Sequence, residues 1–247
     1  MKKEYLESKD FPVFKDYDVS NLIHVGDMDL KKKQPHSHEG KGLSVSICPY
    51  HWSKIARGCM ASNNAFCFSK DDVMLLDFYN ISENGKNEII NWAHNNGYVI
   101  FKNRFMFKYY DDEFESNISG YSLTLEDALY EVGFNIDEWN ELNSSDKLEY
   151  IQEVNIPVPT NKLNLEIGWK VSDEYTYDIV VTLYSEYILK YDGVYWNEML
   201  DVGRLSAPRG VLFNSVLERF CIKKYKLYSN ELNEILPDTD ELFGDYF

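Results

Sequence analysis

Hydrophobic and polar residues follow one another along this chain in patterns that predict both strands and helices. Residues 43–47 (LSVSI) alternate apolar with polar side chains, which is typical of a half-buried strand. A helix is predicted directly afterwards at 49–57, because a proline is tolerated in its first turn. Apolar residues recur every three or four positions within 172–190, so this segment is predicted to form a second helix.

Similar patterns predict the strands and helices of most of the remaining chain. Strands are predicted at 19–25, 72–78, 98–109, 163–171, 194–196 and 220–225. Helices are predicted at 83–96, as two short pieces within 124–154, and as one short turn from Ser229. The polar segment 30–42 is predicted to be an exposed loop. With no internal repeat or low-complexity linker, these elements predict a single α+β domain over residues 1–229.

The charge of the chain is strongly acidic and unevenly distributed. It has 25 Lys and Arg against 41 Asp and Glu, for a formal charge of −16. Residues 111–153 hold thirteen acidic residues and one basic residue, and residues 230–247 hold six acidic residues and none that is basic. We therefore predict an acidic helical insertion at 111–153 and an acidic C-terminal tail. The insertion is either a solvated helical face or a surface for a basic partner.

This acidity also excludes some partners. Nucleic-acid phosphates and anionic membrane surfaces are bound through Lys and Arg, so direct binding of nucleic acid or of a membrane is not expected. The segment after Met1 leads into acidic residues, without the apolar run of a signal sequence, and no stretch reaches the roughly 18 apolar residues of a membrane span. We expect a cytoplasmic protein.

Metal chemistry has weak support in the sequence. His36, His38, Cys48 and His51 lie within sixteen residues and combine ligand types that zinc prefers. Two of the four fall in the polar loop, so a solvated loop beside a helix-terminal histidine is the alternative that we favour. No compact carboxylate motif predicts a Mg²⁺-dependent nuclease or phosphatase. We predict no metal site.

Two N-terminal segments carry candidate binding residues. His24 ends a predicted strand and is followed at once by Gly26, so a rigid element holds the imidazole beside backbone that a ligand can approach closely. A buried core histidine is the alternative. The second segment, GKGLSVSICPYHWSKIA at 40–56, brings Gly42, Ser44 and Ser46 ahead of a helix start that offers free backbone N–H groups.

A C-terminal segment carries candidate acids. In YDGVYWNEMLDVGRLSAPRG, residues 191–210, Glu198 and Asp201 follow a tight turn, and a proline-containing loop then carries Arg209. The ionisation and direction of a carboxylate beside an indole and an arginine are set by those neighbours. A solvated edge acid with a structural loop is the alternative.

In this order, the three segments resemble the ADP-ribosyltransferases of the His-Tyr-Glu type, which include the poly(ADP-ribose) polymerases. Residues 22–26 (LIHVG) are similar to the family's histidine strand, and 40–46 (GKGLSVS) to its Gly-Lys-Gly strand, which leads into a helix. Residues 196–199 (WNEM) are similar to the strand that carries the catalytic glutamate. The resemblance implies a split β-sheet core with flanking helices, and NAD as a substrate.

The resemblance also implies roles. His24 and Gly26 would meet the adenine-side ribose of NAD, Gly42, Ser44 and Ser46 would support the nicotinamide, and Glu198 would direct attack on the nicotinamide ribose. Asp201 competes for the acid role, because its spacing from the turn does not exclude it. Ser44 stands where the family has a stacking tyrosine, so we expect another ring to replace it. The further candidates for NAD binding are Tyr50, Trp52, Tyr195 and Arg209.

Two functions follow from these features. The first is an NAD-dependent ADP-ribosyltransferase that modifies a protein target, with 111–153 contacting a basic target. The second is a non-catalytic acidic inhibitor that occupies a basic groove on a nucleic-acid enzyme, which the charge of 111–153 and 230–247 favours. We expect the first.

Overall fold

The computed structural model describes residues 8–15, 21–28, 42–55, 64–111, 116–198 and 207–227. Numbered along the chain, its strands are β1 (Asn21–Val25), β2 (Leu43–Val45), β3 (Asn64–Ser69), β4 (Leu75–Asp77), β5 (Val99–Asp111), β6 (Ser116–Ser122), β7 (Ile151–Pro159), β8 (Gly193–Trp196), β9 (Arg209–Leu212) and β10 (Cys221–Lys226). Its α-helices are α1 (Pro49–Ile55), α2 (Glu83–Asn95), α3 (Leu125–Glu131), α4 (Ile136–Glu141), α5 (Ser144–Tyr150), α6 (Asn161–Ile167) and α7 (Thr176–Tyr184). The predicted α+β class is confirmed.

The chain divides into two compact units. The first combines Met1–Ile89 with Asp178–Phe247, and the second is Ile90–Tyr177, so the divisions fall within α2 and α7. The predicted insertion at 111–153 lies wholly inside the second unit, but it is helical only between Leu125 and Tyr150, because it also holds the end of β5, all of β6 and the start of β7. Within the described ranges, every helix is too short or too polar to cross a bilayer.

The first unit contains two sheets that meet at one point. One sheet has the order β1-β3-β10 and the other β2-β9-β8-β4, in which only β8 and β4 are parallel. Ile23 of β1 and Ser46, just after β2, exchange two backbone hydrogen bonds of 3.0 and 2.9 Å. This bridge joins the edge strand of one sheet to the edge strand of the other.

The core of the first unit forms around α7 and the second sheet. The side chains of Ile179, Val180, Val181 and Leu183 are fully buried, as are Leu75 and Leu76 of β4. A helix with apolar residues on every side is stable only when it is buried on every side, and α7 has this composition. A π-helical turn, Ser185–Leu189, continues α7.

The second unit packs three short helices against an antiparallel sheet of order β6-β5-β7. Its core contains Phe107, Ala128, Leu129, Trp139 and Ile151. Each helix has its own N-cap, because the side chains of Thr124, Asn135 and Asn143 accept hydrogen bonds from the first backbone N–H groups of α3, α4 and α5.

Two predicted elements of the second unit are wrong. The strand predicted at 163–171 is α6, which Thr160 caps and Gly168 ends at φ 91°. Alternating apolar residues there also fit a helix, since Leu163 and Ile167 lie one turn apart and both are buried. The segment 124–154 holds three helices rather than two, and β7 has already begun at Ile151.

One predicted loop of the first unit is also wrong. The proline-containing segment before Gly210 leads into a strand, because β9 begins at Arg209 and pairs with both β2 and β8. The stretch is only four residues long and lacks alternation, so its partners on both sides determine its conformation.

Candidate functional site

A carboxylate, a guanidinium and a phenol, those of Glu198, Arg209 and Tyr79, meet at one edge of the second sheet. Because β4 and β8 are parallel, the chain leaves both strands at the same edge, bringing Tyr79 towards Glu198. Because β9 is antiparallel to β8, Arg209 at its start lies at this edge as well. Sheet topology therefore brings together three segments that are distant in sequence.

The Glu198 carboxylate is held at both oxygens. Arg209 Nη1 lies 2.7 Å from Glu198 Oε2, and the Tyr79 hydroxyl donates a hydrogen bond of 3.0 Å to Oε1. The side chains of Arg209 and Glu198 are 21% and 17% exposed, so this ion pair is largely withdrawn from solvent. Because a donor holds each of its two oxygens, the carboxylate group has one defined orientation.

The phenol of Tyr79 stays protonated well beyond neutral pH. Burial and the neighbouring Glu198 carboxylate raise the pKa of Tyr79 to about 12, with burial as the larger cause. Tyr79 was not among the residues predicted from the sequence. It follows β4 in the 3₁₀ turn Phe78–Asn80, and only the parallel pairing of β4 with β8 reveals its position.

His24 lies on β1 and is tied to the neighbouring sheet. Its Nδ1 donates a hydrogen bond of 2.8 Å to the backbone carbonyl of Ser44. Because a carbonyl only accepts, Nδ1 carries the proton and Nε2 presents a lone pair. Burial lowers the pKa of His24 below the ordinary 6.5, and the hydrogen bond to Ser44 opposes this less strongly. The imidazole is thus neutral at pH 7, with Nε2 as an acceptor.

Two glycines flank this histidine and its partner strand. Gly26 follows β1, and a side chain there would lie 3.7 Å from His24 Nε2, which is ordinary contact. Gly42 precedes β2, where a Cβ would lie 2.3 Å from the carbonyl oxygen of Leu212. The absence of a side chain at Gly42 is therefore what lets β2 approach β9 closely.

The two candidate serines of the Gly-Lys-Gly segment differ in their environment. The Ser46 hydroxyl donates to the carbonyl of Pro208 at 2.5 Å and accepts from Cys48 N at 2.9 Å, so it connects β2 to the start of β9. The Ser44 hydroxyl is buried and, within the described part of the chain, has no hydrogen-bond partner. Among the described residues, the Ser46 hydroxyl is therefore satisfied within the protein, whereas the Ser44 hydroxyl is buried and unsatisfied.

The three candidate rings also differ in how open they are. Tyr195 is fully buried, and the ring of Phe14 stacks on it with 4.4 Å between the ring centroids. The Tyr195 hydroxyl accepts a hydrogen bond of 3.2 Å from the backbone N–H of Ile47. Contrary to the prediction, this ring is closed to a ligand. Tyr50 and Trp52 are partly buried and pack against a small cluster of Val25, Ala65 and Leu227, on the face of β1 opposite to His24.

His24 and Glu198 lie on different sheets of the first unit and do not touch. The bridge from Ile23 to Ser46 leads from β1 to β2, and β9 separates β2 from β8. With strands about 4.8 Å apart and residues about 3.3 Å apart, the two backbone positions are separated by roughly 17 Å in a flat sheet. A ligand that contacts both must extend across β2 and β9.

Several predicted residues lie outside the described ranges. Asp201, the alternative acid, is one of them, as are His36 and His38 of the zinc hypothesis. Among the residues that the structure describes, no three His, Cys, Asp or Glu side chains form a group that could hold a metal ion.

The chain matches no protein-family model, no curated protein and no solved structure.

Proposed function

We propose that this protein is an NAD-dependent ADP-ribosyltransferase that modifies a protein target. The observation that carries the proposal is the order of the strands in the first unit. β1, with His24, adjoins β2, with Ser44, and β8, which leads to Glu198, lies two strands beyond β2. The three segments of the resemblance thus belong to one unit and follow one another across its two sheets, in keeping with a split-sheet core of the ADP-ribosyltransferase type.

The separation of His24 and Glu198 suits a long ligand. Their backbone positions are roughly 17 Å apart along the sheets. One sugar does not cover such a span, whereas NAD carries two riboses joined by a pyrophosphate. In this proposal His24 Nε2 accepts a hydrogen bond from a hydroxyl of the adenine-side ribose. The nicotinamide-side ribose then lies at Glu198.

Glu198 acts on the bond that breaks. The bond between the anomeric carbon of the ribose and the nicotinamide nitrogen breaks, and nicotinamide leaves with the bonding electron pair. The ribose becomes a cation, which the carboxylate stabilises more than the ground state. A nucleophile of the target attacks the anomeric carbon and loses its proton; without a target, water does the same. Arg209 and Tyr79 are positioning residues in this scheme, since they hold the carboxylate at both oxygens.

The nicotinamide ring is bonded to the ribose at Glu198, so this scheme places the ring beside Glu198 as well. Ser44 pairs with Val211, which pairs with Val194, four residues before Glu198. With the strand and residue spacings used above, Ser44 lies roughly 16 Å from Glu198, so neither Ser44 nor Trp52 contacts the nicotinamide in this scheme.

The test is nicotinamide release by the purified full chain incubated with NAD labelled in its ADP-ribose half. Glu198→Gln should lower the rate about 100- to 1,000-fold, as loss of a transition-state electrostatic contact does. Glu83→Gln is the matched control, because its side chain is 82% exposed on α2, and it should leave the rate unchanged. A folded wild type that neither releases nicotinamide nor labels protein in a cell lysate contradicts the proposal.

The same assay separates the two candidate acids. If Asp201→Asn abolishes nicotinamide release and Glu198→Gln does not, the catalytic role belongs to Asp201. If Glu198→Gln alone abolishes release, the assignment to Glu198 stands.

The acidic inhibitor is the second candidate function, and the surface of the second unit favours it. The carboxylate side chains of Glu126, Glu131, Glu141 and Glu149 on α3–α5 are solvent-exposed. Exposed apolar side chains lie among them, with Tyr130 85% and Leu148 58% exposed. Such a mixture suits a basic protein surface better than it suits water alone. An inhibitor would keep its biological effect in the Glu198→Gln variant.

A further inference from the structure

A cleft of about 450 Å³ lies in the first unit, apart from the residues discussed above. One wall is formed by the π-helical turn that continues α7 and by the residues directly after it. The other wall is the segment between β9 and β10. It is lined chiefly by Glu186, Tyr187, Lys190, Tyr191, Ser215 and Arg219. None of these residues belongs to the proposed NAD site, so this cleft is independent of the proposed function.

The lining of the cleft carries two cations, Lys190 and Arg219, against one carboxylate, Glu186. Among the described residues, neither Lys190 nor Arg219 forms an ion pair. The one carboxylate of the lining, Glu186, instead accepts a hydrogen bond of 2.7 Å from the Ser215 hydroxyl. Two unpaired cations on one cleft attract an anion, and phosphate is the anion that Lys and Arg bind most effectively together.

The backbone beside these cations has an unusual conformation. Ser185–Leu189 is a π-helical turn, a feature found frequently at functional sites. Lys190 ends it in the left-handed region, at φ 60° and ψ 32°. Glycine is the residue that ends a helix in this conformation without steric cost. A lysine at this position is therefore unfavourable for the backbone but supplies an ammonium group to the cleft.

The size and remaining walls of the cleft indicate a ligand larger than a bare anion. Its volume falls in the range of sites that hold small organic molecules, about 300–1,000 Å³. Tyr187 is partly exposed and offers a ring on which a flat group can stack. Tyr191 is buried, and its hydroxyl donates to the carbonyl of Phe11 at 3.1 Å, so this wall is rigid.

We propose that this cleft binds a mononucleotide. Its phosphate lies between Lys190 and Arg219, its base stacks on Tyr187, and Glu186 accepts a hydrogen bond from a ribose hydroxyl.

The experiment is isothermal titration calorimetry of the full chain with AMP, ribose 5-phosphate and inorganic phosphate at constant ionic strength. We expect AMP to bind at least tenfold more tightly than either fragment. Arg219→Gln and Lys190→Gly should each weaken AMP binding at least tenfold. Absence of AMP binding to the wild type overturns the proposal, and inorganic phosphate that binds as tightly as AMP overturns the assignment to a nucleotide.

Lys190→Gly also separates loss of the site from loss of the fold. Glycine at this left-handed backbone position should raise the melting temperature, while loss of the ammonium group should lower AMP affinity. Misfolding cannot produce this combination. The matched control is Asp72→Gly, because Asp72 is another exposed non-glycine residue at positive φ, 56°, and does not line the cleft. It should raise the melting temperature and leave AMP affinity unchanged.

One further variant separates this cleft from the proposed NAD site, because AMP is also a part of NAD. His24→Gln should leave AMP affinity unchanged if the cleft is the binding site. If His24→Gln abolishes AMP binding while Lys190→Gly and Arg219→Gln do not, AMP occupies the NAD site and the proposal for the cleft is overturned.

Discussion

Glu198 Oε2 and Arg209 Nη1 lie 2.7 Å apart, although the two residues are eleven positions apart in the sequence. The contact is possible because β8 ends and β9 begins at the same edge of one sheet. This contact holds the carboxylate proposed for catalysis in one orientation, largely shielded from water. Because water screens charges, this shielding strengthens the electrostatic effect of the carboxylate on a developing cation.

The ion pair should contribute to the stability of the fold. In a double-mutant cycle of Glu198→Gln and Arg209→Met, we expect a coupling free energy of about 1–3 kcal/mol, because both side chains are largely buried. Urea unfolding of the four proteins measures it. A coupling below about 0.3 kcal/mol would mean that the pair has no more effect than an exposed one.

Tyr79 should titrate at unusually high pH. Its pKa of about 12 lies above the ordinary 10.0, so its contribution to stability is present below pH 10 and is lost as the pH rises to about 12. Tyrosinate absorbance measured as the difference between wild type and Tyr79→Phe should report this pKa. Glu198→Gln should lower it only in part, since burial is the larger cause. A pKa of Tyr79 that Glu198→Gln leaves unchanged would contradict the hydrogen bond.

His24 should make the first unit sensitive to mild acid. Its folded-state pKa lies below 6.5, so its contribution to stability is present above pH 6.5 and is lost as the pH falls through the folded-state value. Between about pH 7.5 and pH 5, the free energy of unfolding should fall more steeply in the wild type than in His24→Gln.

His51→Gln is the control for this experiment, because burial lowers the pKa of His51 as well. It should retain most of the fall in stability. A wild type and a His24→Gln variant with parallel pH profiles would show that the imidazole is not buried as described.

Gly210→Ala should destabilise the second sheet by about 2–3 kcal/mol, as overpacking of a core does. A Cβ at this position would lie 2.5 Å from Cδ2 of Tyr195 and 2.9 Å from the carbonyl of Val194. Thermal unfolding measures the effect. In a Tyr195→Leu background the additional cost of Gly210→Ala should be smaller, because one of the two clashes is relieved; an equal cost would place the strain in the backbone alone.

The acidic helices of the second unit should govern capture of a basic target. Replacing Glu131, Glu141 and Glu149 by lysine should lower labelling of a lysine-rich acceptor protein about tenfold at low salt, where charge-steered association is strongest. Nicotinamide release without an acceptor should be unchanged. A variant that loses both activities equally would indicate damage to the fold rather than to target binding.

Local signals predicted many of the elements. The apolar periodicity of α2 and α7 and the alternation in β2 are intrinsic to the chain. The elements α2 and β2 occur close to their predicted bounds, whereas α7 begins four residues later than predicted and continues from Ser185 as a π-helical turn. The failures occurred where two periodicities overlap, as in α6, or where a segment is too short to have one, as in β9. For α6 the capping residues Thr160 and Gly168 were a usable signal, since they bracket a helix rather than a strand.

The amino-acid sequence by itself determined the α+β class, the acidity of the second unit and the candidate residues His24, Ser44 and Glu198, because composition and short-range periodicity are properties of the chain alone. Only the tertiary structure decided that Tyr79 and Arg209 hold Glu198, that Ser46 and Tyr195 are occupied in packing, and that a cationic cleft forms beside Lys190. These relationships depend on which strands pair, and pairing is settled by long-range burial and hydrogen bonding, which no local pattern encodes.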